Sequence, residues 1–176
     1  MAGHSKWAQI KRQKGAADKA KSNLWGKLGK RIAVESKLAK GDVSAPGLRA
    51  AIERAKKENM PKDTIDRAVA KGSAADAAAM ESILYEAYGP GGAAILIQVL
   101  TDSRNRAAQE IKHLLSKNGI ALASPGSASW AFEKTAEGYE PKTTVQLSES
   151  DNESLMKIFE EIDNYDDVED VYTNAA

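Results

Sequence analysis

The apolar period changes partway along this chain, and neither one helical bundle nor one sheet can absorb both patterns. Up to about residue 72 the large apolar residues recur every three or four positions, as on helices. From Ser82 to Leu100 they alternate or run continuously, as on strands. The charge changes sign at the same place: residues 1–72 hold 18 Lys and Arg against 7 Asp and Glu, and residues 73–176 hold 7 against 18. A formal net charge of zero therefore conceals +11 followed by −11. Two units are expected: a basic helical one over 1–76 that binds nucleic acid, and an acidic α+β one over 77–176. The low-complexity stretch Ser73 to Met80 marks the join.

In the first unit, residues 1–15 hold only Trp7 and Ile10 as sizeable apolar residues and read as an arm with little core. A helix is expected from Ala16 to Ala39, closed by Lys40-Gly41. At about 100° per residue its Leu24, Trp25, Leu28 and Ile32 gather on one side, and Lys19, Lys27, Lys30 and Lys37 nearly opposite. A second helix, with Pro46 in its first turn, packs Leu48, Ala51, Ile52 and Ala55 and ends near Asn59. The third runs from Pro61 to Gly72 with Asp63 at its positive end and Ile65, Ala68 and Val69 inward. In the second unit, strands Ser82 to Tyr88 and Ala93 to Leu100 flank the turn Gly89-Pro90-Gly91-Gly92. A helix capped by Asp102 or Ser103 follows, with Ala107, Ile111, Leu114 and Leu115 inward. A strand is expected over 127–134 around Trp130 and Phe132, a turn from Gly138 to Pro141, and a strand from Thr143 to Leu147. A last helix packs Leu155, Ile158, Phe159 and Ile162 before a strand from Val168 to Thr173. After the first hairpin strand the order is βαββαβ, a ferredoxin-like arrangement.

The basic third is where function is sought. His4, Lys6, Lys11, Arg12 and Lys14 surround Trp7 in the arm; cations release counterions from phosphates and an aromatic ring can stack on an unpaired base. For Trp7 itself the core of the bundle is the favoured place, since a tryptophan is more often buried as core than left to stack. Lys19, Lys27, Lys30, Arg31 and Lys37 extend the cationic surface along the first helix, and its bland alternative is a merely solvated face. Arg104 and Arg106 open a helix in the acidic half as a second candidate contact, although capping alone explains the neighbouring positions. The Gly89 to Gly92 turn lacks the Lys-Ser/Thr of a phosphate loop and leads into a strand, which makes it structural. Asp163, Asp166, Asp167, Glu169 and Asp170 lack the glycine and spacing of a calcium loop and read as a solvated face.

There is no cysteine, so thiolate metal sites and Cys nucleophiles are excluded and a reducing compartment, by default the cytoplasm, is expected. Two histidines, His4 and His113, are too few and too separated for a zinc site. No nucleophile elbow or catalytic triad order stands out, so a non-enzymatic protein without cofactor or metal is expected. No stretch reaches the ~18 apolar residues that a membrane helix needs.

The run Ala2-Gly3-His4-Ser5-Lys6-Trp7-Ala8-Gln9-Ile10-Lys11 resembles the YebC/PmpR family, which includes the mitochondrial translational activator of cytochrome oxidase. The resemblance continues through Leu48-Arg49-Ala50-Ala51-Ile52, Asn59-Met60-Pro61-Lys62-Asp63, Tyr85 to Gly92, Thr101 to Arg106, Ser129 to Lys134, Asp166-Asp167-Val168 and Val171 to Asn174. It implies a nucleic-acid binder: a translation factor acting on ribosomal RNA or tRNA at the ribosome, or a DNA-binding regulator of transcription. RNA is favoured because no helix-turn-helix spacing is evident; a monomer is expected. Members usually carry a further α/β domain between the strands corresponding to Trp130–Phe132 and Val145–Leu147. Here only Lys134 to Thr143 separates them, so that domain is expected to be missing.

Overall fold

The computed structural model describes residues 18–136 and 138–176. The arm, with His4, Lys6, Trp7, Lys11, Arg12 and Lys14, lies outside the described residues. The chain divides into two compact units, within Ala17–Glu81 and Ser82–Ala176.

The first unit is a three-helix bundle: α1 (Asp18–Leu38), α2 (Pro46–Lys57) and α3 (Lys62–Ser73). Its core is Leu28, Ile32, Leu48, Ala51, Ala55, Met60 and Ile65, with Leu24, Trp25, Ile52, Ala68 and Val69 packed against it. The expected inward positions thus face one another. Helix α1 packs extensively against both α2 and α3, which touch each other much less. Gly72 is buried where α3 crosses α1, and a Cβ there would strike the Ala33 carbonyl. Close approach explains why α3 has glycine at that point, one residue before its end. The Ser36 hydroxyl donates to the Val69 carbonyl at 2.7 Å, and the Trp25 indole N–H to the Glu58 carbonyl at 3.1 Å. These bonds tie α1 to α3 and to the end of α2.

The second unit is α+β, as expected. It contains β1 (Glu81–Tyr88), a short 3-10 turn at Pro90–Gly92, β2 (Ala94–Thr101), α4 (Arg104–Lys117) and β3 (Leu122–Ala123). A 3-10 turn at Ser129–Ala131, β4 (Phe132–Thr135), β5 (Gly138–Pro141), α5 (Glu149–Asp163) and β6 (Val168–Thr173) complete it. The main sheet has order β3-β1-β2-β6, and β4 pairs only with β5. Helices α4 and α5 start at serine caps: Ser103 accepts from the Arg106 N–H and Ser148 from the Asp151 N–H.

Strand β2 is buried on both faces, as its continuous apolar run requires. Ile95, Ile97 and Val99 meet α4 and α5 through Ile111, Leu115, Leu155 and Phe159. Ala94 and Leu96 meet Ala128, Ala131, Phe132 and Tyr172 on the other face. A register shift between Gln98 and Val99 inserts an extra residue in β6. This bulge lets Val168 and Val171, three apart, share the helix-facing core.

Strand allocation differs from the ferredoxin-like order in three places. The expected strand over 127–134 begins only at Phe132, because the N–H groups of Gly126, Ala128 and Ser129 all turn toward one carboxylate. Gly138–Pro141, expected as a turn, is a strand running from Phe132↔Pro141 to Thr135↔Gly138. Tyr139 packs edge-on against Tyr172 with ring centroids 5.4 Å apart, anchoring β5 over the sheet. Gly138 has φ +133, and a Cβ there would strike the Tyr172 ring; this position must be glycine. Thr143–Leu147, expected as a strand, contributes a single parallel bridge, Val145 with Ala175. The places expected in the main sheet for strands over 127–134 and 143–147 are taken by β1 and β3.

Candidate nucleic-acid interface

Because α1 is clasped by both neighbours, its middle, residues 27–36, is buried or half-buried throughout. Lys27, Lys30 and Arg31 are half-buried. The Arg31 guanidinium pairs with Glu35 at 3.3 Å, and the exposed Lys37 ammonium donates to the Ala77 carbonyl at 2.6 Å. Lys19 lies in the first turn of α1. Lys21, which sequence reasoning did not single out, sits 5.0 Å from the centre of the Trp25 ring, a cation–π arrangement.

Beyond the exposed Lys21 and Lys37 of α1, the outer helices carry most of the unit's exposed cations. Helix α2 buries Leu48, Ala51 and Ala55 and exposes Arg49, Arg54, Lys56 and Lys57. At about 100° per residue these four fall within one arc of roughly 160°. Glu53 is the one acid within that arc; it pairs with Lys56 at 3.0 Å. That bond and the Lys56 charge hold the Glu53 carboxyl below its usual value. Lys62, Arg67 and Lys71 are exposed on α3. The three cations Arg54, Lys56 and Lys57 in the last turn of α2 also complement its dipole. The helical projection that selected the α1 lysines also shows this arc when applied to Pro46–Lys57, although it is wider than the roughly 80° that the α1 lysines span.

In the second unit Arg106 is engaged in holding the fold. Its guanidinium lies 2.8 Å from Asp102 and 2.9 Å from Asp167. Asp167 also accepts from the Thr101 hydroxyl at 2.8 Å and the Tyr165 hydroxyl at 3.4 Å. Bonds to Asp167 and Asp102 raise the Arg106 pKa further above its ordinary value. Asp167, expected on a solvated acidic face, is buried at 7% exposure, because its carbonyl accepts from the Leu100 N–H at 2.8 Å and its carboxylate turns toward Arg106 and Thr101. Arg104 is exposed at the start of α4, and His113 is exposed on the same helix.

Sequence reasoning missed Glu86. It is 4% exposed and accepts from the backbone N–H of Gly126 at 2.7 Å, Ala128 at 2.7 Å and Ser129 at 2.8 Å. Burial pushes its carboxyl up, but the N–H donors together outweigh burial and hold it below the usual glutamate value. The clamp shapes a loop from which Trp130 emerges 58% exposed, while Ala128, Ala131 and Phe132 around it are buried. Strand parity was the available signal: Glu86 shares a face of β1 with Leu84 and Tyr88.

Among the described residues no group of three or more His, Asp or Glu is arranged to hold a metal ion, and no helix is long and apolar enough to cross a membrane.

The N-terminal domain model of the TACO1/YebC proteins matches residues 5–75, and the model for their second and third domains matches 80–137 and 134–175. A probable transcriptional regulatory protein of Thermomicrobium roseum is 38% identical over 239 positions, covering 100% of this chain and 96% of the relative. One of Petrotoga mobilis is 48% identical over 148 positions, covering 83% of this chain and 59% of the relative. The crystal structure of a conserved hypothetical protein, Aq1575 of Aquifex aeolicus, superposes with a TM-score of 0.76 at 26% identity, over 88% of this chain and 90% of that one. The pairing with the Thermomicrobium relative is longer than this chain's 176 residues. That relative thus carries residues with no counterpart here, and the family match breaks in the β4–β5 turn.

Proposed function

This chain belongs to the TACO1/YebC family, and from that premise we propose that it is a nucleic-acid-binding regulator that acts by binding, not catalysis. The observation that carries the reading is the exposed cationic arc of α2, formed by Arg49, Arg54, Lys56 and Lys57. With the basic arm and the exposed Lys62, Arg67 and Lys71, it supplies the charge that a phosphate backbone requires. The shifted ionisations of Glu86 and Arg106 belong to bonds that hold loops and strands in place, which fits a binding protein.

The names of the Thermomicrobium and Petrotoga relatives support regulation of transcription, a reading in which the ligand is duplex DNA. A second reading, RNA at the ribosome in the cytoplasm, is favoured by one feature, the exposed aromatic side chains of the second unit. Two measurements separate them. Affinity for a DNA duplex and for single-stranded RNA is measured across a salt series. In addition, a lysate is fractionated on sucrose gradients at low and high salt. Tighter duplex binding with the protein in light fractions supports transcription; co-migration with ribosomal particles that salt strips supports RNA. Affinity independent of salt on both ligands would sink the nucleic-acid reading altogether.

A further inference from the structure

Tyr88 and Trp130 are the only large apolar residues of the second unit exposed among the described residues, at 39% and 58%. They are joined to each other: the Trp130 indole N–H donates to the Tyr88 hydroxyl at 3.0 Å and to the Ser127 carbonyl at 2.9 Å. The Tyr88 hydroxyl itself donates to Ser127. The polar donors of both rings are thereby committed to one carbonyl, and the surface left to a ligand is chiefly aromatic carbon. An isolated exposed aromatic needs no explanation; a bonded pair on a braced loop does.

The bracing comes from below. Glu86, one inward position before Tyr88 on the same face of β1, takes the N–H groups of Gly126, Ala128 and Ser129. It thus fixes the backbone on both sides of Ser127 and up to the residue before Trp130. Ala131 and Phe132 are buried against β2 and β6, which fixes its far side. Rings held in this way lose little freedom when a ligand stacks on them.

We propose that Tyr88 and Trp130 form a stacking platform for an unpaired nucleobase of single-stranded RNA or DNA. The proposal rests on the nucleic-acid reading above and adds a different kind of contact. Residues 73–176 carry 7 Lys and Arg against 18 Asp and Glu, so this unit repels phosphates. At the Tyr88–Trp130 surface, where the ring donors are already bonded within the protein, a contact with the same ligand is to a base, through a ring face. Stacking of this kind tolerates any base and releases few counterions. The platform therefore adds affinity without adding salt dependence, and it cannot act on a duplex whose bases are already stacked.

The test uses the full chain with a 12-nucleotide RNA, the DNA of the same sequence and the corresponding duplex. Trp130→Ala should weaken binding to the single strands about 5- to 150-fold, leave the slope of log K against log salt unchanged, and leave duplex binding unchanged. Trp130→Phe, which keeps a ring but loses the N–H bond, should recover most of the affinity. Irradiation of the complex with 5-bromouridine-substituted RNA should give adducts at Trp130 or Tyr88. The RNA and DNA arms show which strand the platform prefers. Single-strand affinity that Trp130→Ala leaves unaltered overturns the platform, as does equal loss on single strands and duplex. Binding of a proline-rich peptide at Trp130 with no adduct to RNA overturns it too. Changing Arg49, Arg54, Lys56 and Lys57 to Gln separates the two failures. If the salt slope flattens in that variant while Trp130→Ala does nothing, the nucleic-acid reading stands and only the platform falls.

Discussion

Two buried carboxylates, Glu86 and Asp167, each gather polar groups from several segments of the second unit. Glu86 survives in an apolar setting because three backbone N–H groups converge on it; removing it leaves those donors unpaired. Glu86→Gln presents an N–H group to at least one of them and should cost about 2–4 kcal/mol at neutral pH, read from denaturant unfolding. The folded carboxyl lies below the ordinary 4.5. Its stabilisation is therefore complete above that value and lost as pH falls through the lowered one. The wild type should lose stability on acidification below about pH 4.5, and the Gln variant should lose less over the same window. Asp167 holds Arg106, Thr101 and Tyr165 around the start of α4. Arg106→Gln should lower the melting temperature and leave the salt slope of nucleic-acid binding unchanged. A flattened slope with full stability would instead return Arg106 to the interface.

At the scale of elements, the salt slope also tells α1 from α2. Changing Arg49, Arg54, Lys56 and Lys57 to Gln should make the slope of log K against log salt shallower, by up to about 0.9 per lost contact on a duplex and 0.7 on a single strand. The matching change of Lys19, Lys27, Lys30 and Lys37 should have less effect, since Lys27 and Lys30 are half-buried and Lys37 is bonded to Ala77. An equal effect would show that the described packing does not limit access to α1. Periodicity made α1, α2, α3, α4 and α5 legible, because each has one apolar stripe facing one core. It also placed β1, β2 and β6, although burial along β1 does not alternate as its sequence does, since Glu86 and Ala87 are both buried. It failed over 127–147, where the backbone answers to a distant carboxylate and to the Tyr172 ring, neither of which leaves a local period. It also picked the α1 lysines over the α2 arc, because a one-helix projection cannot show that α1 is clasped on two sides.

At the scale of the whole molecule, the neutral total is made from two units of opposite charge, each with its own core. A polyanion is attracted by residues 1–72 and repelled by residues 73–176 at once. The acidic unit should thus temper indiscriminate binding by the basic one. The effect is electrostatic and acts through solvent, so it should fade as the Debye length shrinks from about 10 Å at 0.1 M salt to about 3 Å at 1 M. A fragment of residues 1–81, shown to be helical and to melt cooperatively, is compared with the full chain on a duplex of unrelated sequence. At low salt the fragment should bind more tightly, and the ratio of affinities should approach one as salt rises toward 1 M. A constant ratio above one would mean that the acidic unit blocks the basic surface sterically instead of through its charge. A ratio of one at low salt would mean that the −11 of residues 73–176 leaves binding by the basic unit untouched.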